Sequence, residues 1–274
     1  MKEYALDFDT VMRSFTHRFF CYVLYAKYVI RRLLGLELKC KEPSDGIPLP
    51  PITLRHRVHG SVKPDGFLRV GRTCAADIAW LLEAHGYDLP SFHRILDFGC
   101  GCGRVMRYLR DYALTSEMYG TDIDPEAIDW CRKHLSGIHF GTNESSPPTE
   151  YPDEYFDLII AISVFTHLDE ALQNAWLLET RRILKPGGVL FATLLGSELL
   201  RTCTDKATLM DKGTGVVSRI GRTGVFKADG LPDFYQTTYH RRDYVERVWR
   251  RLFDVISFDE KAVNHHQDLV LLRK

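Results

Sequence analysis

The stretch from Arg94 to Tyr108, Arg-Ile-Leu-Asp-Phe-Gly-Cys-Gly-Cys-Gly-Arg-Val-Met-Arg-Tyr, constrains the fold of this chain more than any other. Ile95, Leu96 and Phe98 make a short apolar run of the kind that forms a buried strand, with Asp97 near its end. Gly99, Gly101 and Gly103 follow on alternate positions, and Val105, Met106 and Leu109 then recur at helical spacing. Strand, glycine turn and helix together make a nucleotide-binding crossover. Glycine lets the backbone approach a ligand where a Cβ would collide, and a helix N-terminus lies behind the turn. The dinucleotide pattern G-x-G-x-x-G fails in both registers, because its third glycine would fall on Arg104 or on Met106. A carboxylate at Asp97 is poorly placed for a pyrophosphate. It suits a positively charged amino group.

A second crossover follows. Met118 and Tyr119 lead into Gly-Thr-Asp-Ile-Asp-Pro-Glu, and Asp122 falls 19 positions beyond Gly103. That is the distance at which a second strand returns with an acid for ribose hydroxyls. Asp124 reads as an N-cap, Pro125 as the first helical residue, and Ala127, Ile128, Cys131 and Leu135 as the buried stripe. Ile138–Phe140 is the expected third strand, with a polar loop to Pro152 behind it. Phe156–Ser163 is apolar enough for a fourth strand buried on both faces. Ligands of open parallel sheets bind beyond the carboxyl ends of the strands, so Ser163 to His167 should face the cleft. Asp169–Leu184 reads as a helix stopped by Lys185-Pro-Gly-Gly, and Val189–Leu195 as the fifth strand. The rhythm ends at Gly196. Glycine-punctured residues 196–238 read as a cap or lid, since long irregular insertions are usually functional. A helix over Arg241–Leu252 and a strand pair, Phe253–Val263 and Gln267–Leu272, close the chain.

These motifs resemble the class I methyltransferases that use S-adenosylmethionine, most specifically over residues 94–108, 119–126 and 156–188. Phe-Gly-Cys-Gly-Cys-Gly-Arg and Ile-Ser-Val-Phe-Thr-His-Leu are similar to a group of uncharacterised bacterial members. The resemblance implies an α/β fold with a doubly wound, seven-stranded, mostly parallel sheet and an antiparallel terminal strand. It implies S-adenosyl-L-methionine as cofactor, its methionine end cradled by Asp97, Gly99, Gly101 and Gly103. Asp122 and Ile123 would sit at the ribose, Asn143 at the adenine, and Ser163 beside the cofactor. His167 is the candidate catalytic base, because imidazole accepts protons near neutrality. The other reading is that it caps the next helix or orders the turn. His240 is the alternative base. The Asn/Asp-Pro-Pro-Tyr/Phe motif of the base- and amide-modifying enzymes is absent after the fourth strand, as is a Pro-Cys nucleophile. A small-molecule or glycan acceptor is therefore the leading reading. A lipid acceptor and a non-catalytic cofactor-binding module are the rivals, and the missing glycine disfavours a nicotinamide reductase.

Charge and cysteine usage bound the rest. Lysine plus arginine equals aspartate plus glutamate at 36 each, which argues against a broad nucleic-acid surface. Seven cysteines without regular spacing suggest neither a disulfide framework nor a zinc site, and hence a reducing, cytoplasmic setting. No metal is expected. The methyltransferase domain is expected over 66–274, behind an N-terminal helix and Pro-rich arm over 1–65. In residues 10–35, Met12, Phe15, Phe19, Tyr22, Val23, Ala26, Ile30 and Leu33 recur at helical spacing beside Arg13, His17, Lys27 and Arg31. That helix packs against the body or a partner, or lies on an anionic membrane. Prolines should interrupt regular structure over 36–66. The run Arg55-His-Arg-x-His is either a solvated edge or an arm across the active-site mouth.

Overall fold

The computed structural model describes residues 23, 25–36, 43, 45–59, 62–203, 209–211, 213–219 and 235–274. Residues 10–22 of the expected N-terminal helix, and 204–208, 212 and 220–234 of the expected cap, lie outside them. Among the described residues, three helices precede the sheet: α1 (25–33), α2 (Ile52–His59) and α3 (Pro64–Ala84). β1 (Arg94–Phe98) leads through the glycine turn to α4 (Met106–Leu109), and β2 (Glu117–Asp122) leads to α5 (Pro125–His134). β3 (Ile138–Thr142), β4 (Phe156–Ala161), α6 (Glu170–Ile183) and β5 (Leu184–Leu194) follow. After α7 (Ser197–Thr202), the strands β6 (Leu209–Asp211), β7 (Val216–Arg219) and β8 (Thr237–His240) form a small antiparallel sheet. Then α8 (Arg242–Val248), β9 (Asp254–Val263) and β10 (Gln267–Arg273) return to the main body.

The main sheet has seven strands in the order β3-β2-β1-β4-β5-β10-β9. β3, β2, β1, β4 and β5 run parallel, and β10 is antiparallel to both of its neighbours. The order reverses between β1 and β4, where a cleft opens beyond the strand ends. Alternate residues serve opposite faces, as the pleat requires. Ile95, Leu158, Phe191 and Leu271 pack on Ile78 and Leu82 of α3. Leu96, Ile159, Leu190 and Val270 pack on Trp176 and Leu177 of α6 and on Tyr244 and Val245 of α8. A smaller core joins Leu54 of α2 and Phe67 of α3 to Ala127, Trp130 and Cys131 of α5.

Four expectations change at their edges. The proline-rich arm contains a helix, because Pro50 and Pro51 lie just before α2 and do not interrupt it. Its Ile52 and Leu54 are buried. The helix that Ala76, Ile78, Leu81 and Leu82 predict over Val70–His85 starts earlier, at Pro64, with proline in the first turn of α3, where its missing N–H costs nothing. Lys185-Pro-Gly-Gly belongs to β5: Leu184 pairs with Phe156 and Val189 with Leu158, so the extra residues bulge out with Gly187 at φ +76°. The helix expected over Arg241–Leu252 is α8 followed by a 3-10 turn at Trp249–Arg251.

Candidate cofactor cleft

The cleft beyond β1, β2 and β4 holds a cavity of about 280 Å³. It is lined by Asp97, Gly99, Gly101, Asp122, Ile123, Asn143, Ser163 and His167, so eight of the nine sequence-predicted residues meet there. Gly103 does not line it. A Cβ at Gly103 would collide with Leu135, so this glycine serves the seating of α5 against the turn. The closest approaches to the other two glycines come from the protein itself. A Cβ at Gly99 would strike Val164, and one at Gly101 would lie 2.6 Å from Val58 of α2.

Asp97 is 2% exposed at the end of β1, and its Oδ2 is buried with no hydrogen-bond partner. Burial first, then the nearby Asp122, pushes its pKa up to about 7, partly offset by Arg104. An unpaired buried carboxylate is costly, and a cationic ligand group removes that cost. Asp122 ends β2 and organises the turn. Its Oδ2 accepts from Gly101 N–H at 2.7 Å and its Oδ1 from Asp124 N–H at 2.9 Å. Burial raises its pKa to about 6, against those same backbone bonds, which favour the charged form. Asp124 in turn caps α5, accepting from Glu126 and Ala127 N–H. The donor set therefore fits the resemblance: one unsatisfied carboxylate suits an ammonium, and the next lies where ribose hydroxyls can donate.

Asn143 reaches the cleft with its amide engaged. Its Oδ1 accepts from Thr121 Oγ1 at 2.8 Å and its Nδ2 donates to Glu144 O at 2.7 Å. Ser163 sits in the left-handed region at φ +62°, which is uncommon for a side chain with a Cβ. It is locked there by its N–H to Thr193 Oγ1 at 2.8 Å and by Gln267 Nε2 donating to its Oγ at 2.6 Å. His167 lies in a 3-10 turn beyond β4, stacked on Tyr235 with ring centroids 3.9 Å apart. Its Nδ1 is 2.9 Å from Gln236 O. A carbonyl only accepts, so Nδ1 carries the hydrogen of this contact. His240 is elsewhere. It is 0% exposed, does not line the cavity, and has Nε2 2.9 Å from Gln173 Oε1. Burial presses its pKa down to about 3.

Sequence reasoning missed Arg104, Trp176 and Tyr235 in the lining. The one legible signal was the basic residue directly after the third glycine. The run at Arg55–His59 proves to be an arm across the cleft, since Arg57 and Val58 line the cavity. Arg57 Nε donates to Asp124 Oδ2 at 2.8 Å and its Nη2 to Glu126 Oε2 at 2.6 Å. Its Nη1 reaches Tyr25 Oη of α1 at 3.1 Å, and Arg32 of α1 pairs with Glu126. Both helices are thus fastened to the start of α5, against the wall of the cleft.

Residues 96–192 match the model of a methyltransferase domain. The chain is 30% identical over 112 residues to a malonyl-[acyl-carrier protein] O-methyltransferase of Enterobacter lignolyticus, covering 40% of this chain and 41% of that protein. It is 30% identical over 105 residues to a ubiquinone biosynthesis O-methyltransferase of Cereibacter sphaeroides, covering 37% and 41%. The chain thus spans about two-fifths of the length of these curated relatives. Among solved structures it resembles the S-adenosylmethionine-bound CalS10, an amino pentose methyltransferase of Micromonospora echinaspora. That match has a TM-score of 0.54 at 20% identity and covers 80% of this chain and 94% of that one.

Proposed function

Because residues 96–192 are a methyltransferase domain within a class I methyltransferase fold, we propose that this protein is an S-adenosylmethionine-dependent methyltransferase acting on a small-molecule or glycan acceptor. The observation that carries the reading is the pair of carboxylates at the ends of adjacent strands, Asp97 buried and Asp122 half-buried, with Asp97 Oδ2 unsatisfied beside the cleft. The cofactor supplies a methyl group made electrophilic by its sulfonium charge. Asp97 holds the ammonium, and Asp122 accepts from the ribose hydroxyls while keeping Gly101 in place. Ile123 and Asn143 border the adenine side, and Ser163 stands beside the methionine end. His167, on the cavity wall beyond β4, takes the proton when the acceptor must lose one. The chain's main task is alignment, since in-line displacement depends on holding donor and acceptor together.

Support for methylation at oxygen comes from two relatives, named as a malonyl-[acyl-carrier protein] O-methyltransferase and a ubiquinone biosynthesis O-methyltransferase. Calorimetry with S-adenosylmethionine, S-adenosylhomocysteine and NADH, paired with a turnover screen over hydroxyl, amine and carboxyl acceptors, tests this function. Binding of the first two without NADH, plus methyl transfer, is the expected result. Binding without turnover would favour a non-catalytic module.

A lipid-facing version has its own support. In α1 and just beyond it, Val23, Ile30, Leu33, Leu34 and Leu36 are exposed, Leu33 at 78%, and Lys27 is exposed among them. Residues 10–36 contain Arg13, Arg18, Lys27, Arg31 and Arg32 and no acidic residue, which suits an anionic surface. No helix among the described residues is long and apolar enough to cross a membrane. Co-sedimentation with phosphatidylserine vesicles that is lost in Leu33→Ser/Leu34→Ser would establish peripheral contact. Equal partitioning of both proteins into the supernatant would exclude it.

A further inference from the structure

Thr238 and His240 are alternate residues of β8, so their side chains leave the strand on one face, and both are fully buried. That face meets the turn that carries His167. Thr238 Oγ1 donates to Leu168 O at 2.8 Å. His240 Nε2 lies 2.9 Å from Oε1 of Gln173, a fully buried residue in the first turn of α6. Gln173 Nε2 donates to Leu168 O at 2.9 Å and to Phe165 O at 3.2 Å, the carbonyls that bracket Thr166 and His167. Carbonyls only accept, so the amide nitrogen must face them. The amide oxygen then faces His240, whose Nε2 is the donor. Just before β8, Gln236 N–H donates to His167 O at 3.1 Å, and Gln236 O accepts from His167 Nδ1 at 2.9 Å. None of Gln173, Gln236, Thr238 and His240 lines the cavity.

An apolar seam tolerates a small slip between two layers. A buried polar seam does not, because a slip leaves donors and acceptors without partners. His240 is kept here at a cost of its own: its Nδ1 is buried with no hydrogen-bond partner. Burial presses its pKa down to about 3, so the ring stays a neutral donor. An aliphatic side chain would fill the space without that cost, so what the site demands is the Nε2–H. We propose that Gln173 and His240 are positioning residues for the reaction, fixing the turn at the exit of β4 so that the His167 ring faces the cleft. The proposal rests on the reading of His167 as the base. It also makes the placement of that base depend on the docking of the small sheet, because His240 reaches the turn only from β8. A small sheet that comes loose releases the base with it.

The test is NMR of the full chain, isotope-labelled at histidine nitrogen, with and without S-adenosylhomocysteine. It reads how fast the His167 Nδ1 hydrogen exchanges with water, and His167→Ala identifies that signal. In the native protein Gln236 O should hold this hydrogen long enough for it to be seen. Gln173→Met, similar in length but without a donor, and His240→Phe should each speed its exchange about tenfold or more, as for one lost hydrogen bond, and change S-adenosylhomocysteine affinity less than about twofold. His240→Gln keeps a donor for the Gln173 oxygen and should restore slow exchange. Unchanged exchange in Gln173→Met and His240→Phe overturns the proposal even if both melt lower, because the seam then only adds stability. So does His240→Gln behaving as His240→Phe does. If Gln173→Met fails to fold, the two His240 variants still decide. The exchange rates depend on neither an acceptor nor a bound ligand. With exchange altered as expected, full turnover in His167→Ala would refute the base, and a native chain that binds no S-adenosylhomocysteine would refute the cofactor, while the placement of the ring by the seam stands.

Discussion

Asp97 concentrates the residue-scale argument. Its carboxyl titrates near 7 in the folded chain because burial, then Asp122, disfavours the charge. An unfolded aspartate titrates near ~3.9. The folded state therefore binds the proton more tightly, and this stabilising contribution is complete below the unfolded value and lost as pH rises through 7. An ammonium needs the carboxylate, so ligand binding must expel that proton below pH 7. Affinity for S-adenosylhomocysteine should fall by up to about tenfold per pH unit below 7, with proton release detectable in buffers of different ionisation enthalpy. Asp97→Asn should abolish that dependence above pH 6, and a flat profile in the native protein would refute the assignment.

Two neighbours carry sharper tests. Asp122→Ala removes a charged acceptor from a ligand and also from the Gly101 and Asp124 N–H groups. It should weaken cofactor binding at least about tenfold and also lower the melting temperature, since charged bonds are worth about 1.5–3 kcal/mol each. A variant that melts lower and binds normally would confine Asp122 to holding the turn. His167→Ala should cut turnover by about 10²–10⁴ with cofactor affinity intact if the imidazole is the base. Its bond to Gln236 O also ties β4's exit to β8's entry, so a matched loss of stability and affinity would mark it as structural.

At the scale of elements, the arm decides how the cleft is walled. α2 brings Val58 over Gly101 and Arg57 against the carboxylates that begin α5. Arg57's side chain is 9% exposed, whereas Glu126's is 41% exposed and partly screened. Arg57→Ala removes the guanidinium from Asp124, which keeps its two backbone N–H donors, and from Glu126, which keeps Arg32, at an expected cost of about 1–2 kcal/mol after that discount. Urea unfolding measures the stability. Stopped-flow release of S-adenosylhomocysteine should speed up as the arm loosens, and an unchanged release rate would show that α2 does not gate the cleft.

For the whole molecule, cofactor and fold are linked through the sheet. The cleft exists only when β1, β2 and β4 are paired, so a ligand that binds there stabilises the native state alone. At one hundred times its dissociation constant, S-adenosylhomocysteine should add about 2.7 kcal/mol. For a chain of this size that raises the melting temperature by about 5–10 °C. NADH should leave it unchanged.

Local chemistry was enough to read the crossovers. Apolar runs, glycines at fixed offsets and the Asp124–Pro125 cap mark each strand, turn and helix start, because those signals act within a few residues. Asp97, Asp122 and the β4 exit were legible for the same reason: strand ends converge on one cleft in any open parallel sheet. What the tertiary structure alone decided depends on distant pairing. Prolines over 36–66 read as an interrupter, yet Ile52 and Leu54 find a core with Phe67 and Cys131, and the segment folds as α2. Lys185-Pro-Gly-Gly reads as a turn until pairing with β4 absorbs it as a bulge. Gly103 reads as part of the ligand cradle, and only Leu135, brought in by α5, shows that it serves packing. Arg104 was visible only as the cation after the turn, because its unmet Nε comes from burial beneath segments far away in sequence.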